Sequence, residues 1–172
     1  MKNSYIPDIF KEKIIQSFKY LYAIFFLVIA IFSSLALLTF DINDNSFLTN
    51  TSNVTQNLLG NFGSYFASFI FYTFGVLGYL VIIFFLTSSI LIIFKKMPKY
   101  IFIRLLMFFI SLIFIPQTFI YYEIDFKFIE SIEVWGVFAE DLYSMYKLSY
   151  ISYFLSILGI IIFLVSQNIF SL

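Results

Sequence analysis

Cysteine and histidine are both absent from this chain of 172 residues. Their absence excludes disulfides, thiolate nucleophiles, the usual zinc ligand sets and imidazole acid–base catalysis. Charge is scarce too: ten basic and ten acidic side chains make up 12% of the residues and cancel formally. No basic block is dense enough for these residues to bind nucleic acid themselves. The glycines of NLLGNFG (57–63) are not followed by Lys-Ser/Thr, which excludes a phosphate-binding loop. No carboxylate has a nucleophile or base at a recognisable catalytic spacing, so neither an enzyme nor a bound cofactor is expected.

What remains is apolar. The chain is 62% hydrophobic with a mean hydropathy of +0.98. That is more apolar surface than a core of this size can hide, and a lipid bilayer is the acceptor it calls for.

The few charges are sorted. Lys2, Lys11, Lys13 and Lys19 precede a first apolar segment, and Lys95, Lys96, Lys99 and Arg104 gather between the second and third. Asp41 and Asp44 follow the first segment. Glu123, Asp125, Glu130, Glu133, Glu140 and Asp141 fall between the third and fourth, with only Lys127 and Lys147 among them. Lys and Arg are retained on the cytoplasmic side during insertion, so the alternation predicts a threading with both termini inside and two loops outside. The topology-setting residues are Lys11, Lys13, Lys19, Lys95, Lys96, Lys99 and Arg104. The fold class is all-α: a polytopic membrane protein with four transmembrane helices, N-in/C-in.

Residues 1–19 read as a mixed-charge cytoplasmic segment at the membrane surface, and 20–172 as the membrane domain. The spans are expected at about 20–40, 65–94, 101–121 and 151–170, since about 20 residues at ~1.5 Å rise cross the ~30 Å hydrocarbon layer. A cleavable signal peptide ending near Ser34-Leu35-Ala36 is the rival reading of the first span. Its apolar core runs on through Leu37 and Leu38, which favours an uncleaved anchor. Pro98 ends the second span, and Pro116 kinks the third or marks its end. Ser171-Leu172 adds no basic residue to the last inner flank, as if a cytoplasmic part followed. In the second outside loop, Phe128, Ile132, Trp135, Ala139, Leu142 and Tyr146 recur at helical spacing, with the acidic residues off that line. This predicts an amphipathic helix on the outer surface, with Trp135 at headgroup depth.

The spans hold almost no ionisable groups. Arg104, at the inner end of the third, is placed to snorkel. No carboxylate lies inside the membrane, which argues against an ion pathway. Small residues instead stand in rows: Ser64, Ser68, Gly75 and Gly78 in the second span, and Ser152, Ser156 and Gly159 in the fourth. In lipid, helices associate through close backbone approach along such rows. These candidate packing residues serve either the bundle of one subunit or a contact between subunits.

The order of elements resembles the start of the FtsK/SpoIIIE-type DNA translocases, the septal DNA motors of bacteria. The resemblance lies in Leu38-Thr39-Phe40-Asp41, Asp44-Asn45-Ser46-Phe47, Gly60 to Ser68, Phe74-Gly75 and Trp135-Gly136-Val137-Phe138-Ala139. Phe47 stands where tryptophan is usual, and the second glycine repeat is reduced to Gly136. The resemblance covers essentially the whole chain but only the membrane part of such a protein. It implies an anchor without catalysis of its own, forming homo-oligomers, meeting division-site membrane proteins and reaching DNA only through a cytoplasmic motor. The alternative reading is a stand-alone membrane scaffold or an accessory subunit of a transporter.

Overall fold

The computed structural model describes residues 8–94, 100–124 and 134–167, and among these every regular element is helical. The helices are α1 (Asp8–Leu38), α2 (Gly60–Phe74), α3 (Leu80–Phe94), α4 (Ile101–Phe114), α5 (Gln117–Tyr121), α6 (Val137–Tyr146) and α7 (Ser149–Ser166). A 3₁₀ turn, Gly75–Tyr79, joins α2 to α3. Among the described residues four stretches are long and apolar enough to cross a membrane: Phe10–Leu38, Gly60–Phe94, Ile101–Tyr121 and Ser149–Ser166.

Two antiparallel pairs make the frame. In the first, Lys19, Ala23 and Phe26 of α1 meet Ile93, Ser89 and Phe85 of α3 in turn. In the second, α4 with α5 runs against α7. Arg104 lies by Ser166, Phe108 by Phe163, and Thr118 by Ser156. The pairs join where Phe84 stacks on Phe108 at 4.3 Å between ring centroids. Around that stack Leu37, Ala67, Phe71, Phe74, Val81 and Leu112 form the main core.

The first helix differs from its expected form. No break separates a surface segment from a span at Tyr20; α1 is one helix of 31 residues. At ~1.5 Å per residue this is about 46 Å, well beyond the ~30 Å hydrocarbon layer. Its first turns, through Phe18, are exposed along every described side chain. Residues 10–38 contain no Pro or Gly, so nothing local interrupts the hydrogen-bond ladder.

The second span is not one straight helix. α2 stops at Phe74 because Gly75 adopts φ 58°, ψ −145°, a backbone region essentially confined to glycine. The row of Ser64, Ser68, Gly75 and Gly78 therefore does not continue as one helical face, since Gly75 and Gly78 both lie in the 3₁₀ turn. The third span breaks at Pro116, which cannot supply an amide to the carbonyl one turn back. Gln117 restarts the helix, and its side-chain amide donates to Ile113 O at 2.8 Å.

The helix expected between the third and fourth spans is α6, and Trp135 precedes it. The indole is not placed in an open surface: it is 7% exposed, stacks on Phe119 at 5.1 Å and donates to Ile124 O at 3.0 Å. A buried indole N–H needs a partner, and this carbonyl provides one inside the protein. Ala139 is also buried, whereas Phe138 and Met145 are exposed. The expected stripe members Phe128 and Ile132 lie outside the described residues, as do Lys95, Lys96 and Lys99.

Candidate functional site: the interlocked end and the basic end of the bundle

At the end of the bundle where α1 finishes, the loop 41–59 is folded on itself. Asp44, fully buried, accepts backbone N–H groups from Gln56 at 2.6 Å and Asn57 at 2.9 Å. Asn57 then donates to Ala36 O at 2.8 Å and Thr39 O at 3.2 Å, satisfying carbonyls that the end of α1 leaves open. Leu59 N returns to Asn57 Oδ1 at 3.0 Å. A Cβ on Gly63 would sit 2.1 Å from that same oxygen, so the first turn of α2 needs glycine there. Ser46 accepts the amides of Leu48 and Thr49, and Phe47 N donates to Ser68 Oγ at 3.0 Å. The Asp44-to-Phe47 and Gly60-to-Ser68 elements are thus two sides of one clasp.

A second clasp joins the halves of the chain. Val76 N donates to Val134 O at 2.8 Å across the break in the second span. A Cβ on Gly75 would lie 2.1 Å from Val134 O, and one on Gly136 would lie 2.5 Å from Gly75 N. Gly136 has φ 79° and ψ 149°, also a glycine conformation. Beside this contact Phe74 stacks on Phe109 at 5.4 Å and meets Phe138 edge-on. The Phe74-Gly75 and Trp135-Gly136 elements, far apart in sequence, are one backbone-to-backbone junction.

Polar bonds tie α5, α6 and α7 together. Gln117, fully buried, donates to Ala139 O at 3.1 Å and accepts from the Tyr146 hydroxyl. Burial holds the Tyr146 phenol above its ordinary value, with Tyr143 adding to the rise and a bond to Ser152 opposing it. Thr118 donates its amide to Ser156 Oγ at 2.9 Å and its hydroxyl to Ser152 O at 3.2 Å.

Each of the candidate packing residues is buried within the single chain. Ser64 is enclosed with its hydroxyl unpartnered, and Ser68 bonds to Phe47 and Tyr65. A Cβ on Gly78 would lie 2.6 Å from Ile70 Cγ2, and one on Gly159 2.7 Å from Ile115 N. Ser152 and Ser156 face α5. The row on α7 therefore packs against the end of α4 and bonds to α5.

The opposite end gathers the described basic residues of the spans. Lys11 and Lys13 are exposed on α1. Lys19 donates to Ile93 O at 2.9 Å, in the last turn of α3, and Arg104 Nε to Ser166 O at 2.8 Å, at the end of α7. Cations at helix C-termini meet open carbonyls and the negative end of the helix dipole. Arg104 is 8% exposed, turned into the α4–α7 contact. No group of three acidic side chains that could hold a metal ion forms among the described residues.

The family model for the 4TM region of DNA translocase FtsK/SpoIIIE matches residues 16–166, which include almost all of the four spans and both clasps. The chain belongs to this family. Neither the curated proteins nor the solved structures contain a significant match. The matched part of an FtsK/SpoIIIE translocase is its membrane region and not its motor, in keeping with side chains committed to packing and capping. Sequence reasoning missed the Asp44–Asn57 pair and the Gln117–Tyr146 bond. Gln117 did carry a signal, a lone amide directly after Pro116 at the end of an apolar run.

Proposed function

We propose that these residues are the membrane anchor of a septal DNA translocase acting in cell division and chromosome segregation. The anchor tethers a cytoplasmic ATP-driven motor to the bacterial inner membrane and performs no catalysis itself. The observation that carries this reading is the family match across residues 16–166. Support for the orientation comes from the chain's four spans and from Lys11, Lys13, Lys19 and Arg104 at one end of the bundle. Under the positive-inside rule that end is cytoplasmic, and an even number of crossings leaves both termini there. Tethering works through confinement: motors held in one membrane region meet at a raised effective concentration.

Self-association and contact with other division-site membrane proteins would use the outward faces of the helices. The small-residue rows are spent inside the chain. DNA is reached only through the motor.

Reporter fusions test the threading. A cytoplasm-dependent fluorescent reporter is expected to be active at residues 1 and 172, and a phosphatase that needs the outside at positions 50 and 145. Activity of the fluorescent reporter at only one end would refute the tether. A fluorescent fusion to the natural full-length protein is expected to concentrate at the division plane, and uniform membrane staining would remove the septal part of the proposal.

A further inference from the structure

Both ends of α2 meet the same short stretch of α1. Just before α2 starts, Asn57 donates to Ala36 O at 2.8 Å and Leu58 N to Thr39 Oγ1 at 3.1 Å. Near its other end, Phe71 packs on Phe40 at 5.3 Å between ring centroids. Between these points Phe62 and Phe66 reach Phe32, only one turn further down α1. Gly60 and Phe71 are about 16 Å apart along α2 at ~1.5 Å per residue, whereas Ala36 and Phe40 are about 6 Å apart. A helix that meets one turn of another at both its ends crosses that turn and does not run beside its length. The polar loop 41–59 stays with α2 across this distance. Phe47 N donates to Ser68 Oγ at 3.0 Å, halfway along α2, and the Phe47 ring meets Phe69 and Tyr72 at 6.1 and 5.6 Å. Asn43, Asn50, Asn53 and Gln56 of that loop are exposed, and such side chains belong in water or among headgroups.

The second crossing does not need α2. Lys19, which bonds to Ile93 O, and Leu38 are about 28 Å apart along α1, close to the ~30 Å hydrocarbon layer. The five residues of the 3₁₀ turn and the fifteen of α3 rise about 32 Å together, which is enough for the same layer. The end of α1 therefore lies at a boundary of the hydrocarbon, and α2 lies there with it. One face of α2 is buried on the bundle, through Ser64, Ala67, Phe71 and Phe74. The other exposes Phe62, Tyr65, Phe69 and Tyr72, spaced by three and four residues, and Gly60–Phe74 carries no charged side chain. Such a face suits the layer between acyl chains and headgroups, where rings are apolar neighbours and tyrosine hydroxyls stay wet. Facing water it would be a bare apolar patch. In mid-hydrocarbon the two hydroxyls and the adjoining polar loop would lack partners.

We propose that α2 does not cross the membrane but lies along the headgroup boundary at the interlocked end, where Phe62, Tyr65, Phe69 and Tyr72, extended by Phe47, form a lipid-binding surface. The 3₁₀ turn and α3 make the second crossing alone, so the number of crossings stays at four. Gly75 is then the corner at which the chain leaves the membrane surface and enters the hydrocarbon. The inference rests on insertion of the spans and not on the septal role, and the experiment below reads depth, neither threading nor localisation.

The chain has no native cysteine, so single spin labels can be placed at will. Phe62→Cys, Tyr65→Cys, Phe69→Cys and Tyr72→Cys alter exposed side chains of α2, and Ile83→Cys and Ile90→Cys do the same on α3. Each labelled variant is reconstituted in phosphatidylcholine–phosphatidylglycerol bilayers. Depth is read from collisions with oxygen, which gathers in hydrocarbon, against a water-soluble nickel chelate. The four α2 labels are expected within about 5 Å of one common depth near the headgroups, while the two α3 labels differ by about 10 Å. A steady deepening from Phe62 to Tyr72, approaching the ~15 Å of a helix continuing straight into α3, would overturn the proposal. So would α2 labels open to the chelate and closed to oxygen, which would mean a water-facing or protein-covered surface, or α3 labels at equal depth.

Discussion

Replacing Gly136 by alanine tests the junction between the two halves of the chain. The backbone there, at φ 79° and ψ 149°, is one that a residue with a Cβ holds only at a cost of about 1–3 kcal/mol. The added methyl would also sit 2.5 Å from Gly75 N and 2.6 Å from both Phe74 N and Phe74 C. All three are backbone atoms, so no side chain can swing aside. Undocking forfeits the Val76–Val134 hydrogen bond, about 1 kcal/mol net, and the Trp135–Phe119 stack, about 0.5–1.5 kcal/mol. Because undocking relieves the strain, the two costs do not add. A shift of about 3 kcal/mol in the docking equilibrium is expected, which multiplies the open population about 150-fold. Gly60→Ala is the control: Gly60 also has positive φ, but a Cβ there would meet nothing within 4 Å. The assay is thiol labelling. The chain has no native cysteine, so Ala139→Cys, buried against the bundle, is a unique reporter of undocking. Labelling should accelerate strongly in Gly136→Ala and little in Gly60→Ala. Equal rates in the two backgrounds, with equal thermal midpoints, would refute the reasoning.

Asp44→Ala should lower the thermal midpoint by the equivalent of about 2–4 kcal/mol, because two amides lose a charged acceptor. Limited proteolysis is then expected to cut first within residues 41–59. Gly159→Leu should destabilise the monomer itself, since even a Cβ would press on Ile115 N and the Phe114 backbone. Loss of cross-linked oligomer without any loss of monomer stability would contradict that. Gln117→Leu should leave Tyr146 without its acceptor and free Ala139 O, lowering the midpoint by about 1–2 kcal/mol. The raised Tyr146 phenol fixes the sign of a pH effect. Its contribution is full below the ordinary tyrosine range near pH ~10 and falls as pH rises through the higher folded value. Tyr146→Phe should therefore narrow the gap from the parent as alkalinity increases, measured by thermal midpoint from pH 8 to 11.

The spans were legible because they rest on composition and length. Runs such as LVIIFFLTSSILIIF need no tertiary knowledge to be assigned to lipid. The breaks were half legible. Pro116 announces itself by chemistry, whereas Gly75 becomes a break only because Val134 and Gly136 arrive beside it from a loop some sixty residues on. The small residues were visible as rows, but which neighbour each row meets depends on packing. Straight-helix phasing carried Gly75 and Gly78 onto a face that the 3₁₀ turn dissolves. For Trp135 the aromatic pattern suggested the membrane interface but not its partners, Phe119 and the Ile124 carbonyl, which depend on packing. The capping roles of Lys19 and Arg104 were hidden because charge sorting says on which side a cation lies, not which carbonyl it finds.

The Gly75–Gly136 junction makes the first hairpin unfinished until the second has been made. A segment ending near Phe94 would lack the Val134 acceptor for the Val76 amide and the Phe109 and Phe138 neighbours of Phe74. During synthesis, then, the early crossings wait for a latecomer, and two separately expressed halves carry within them the means to find one another.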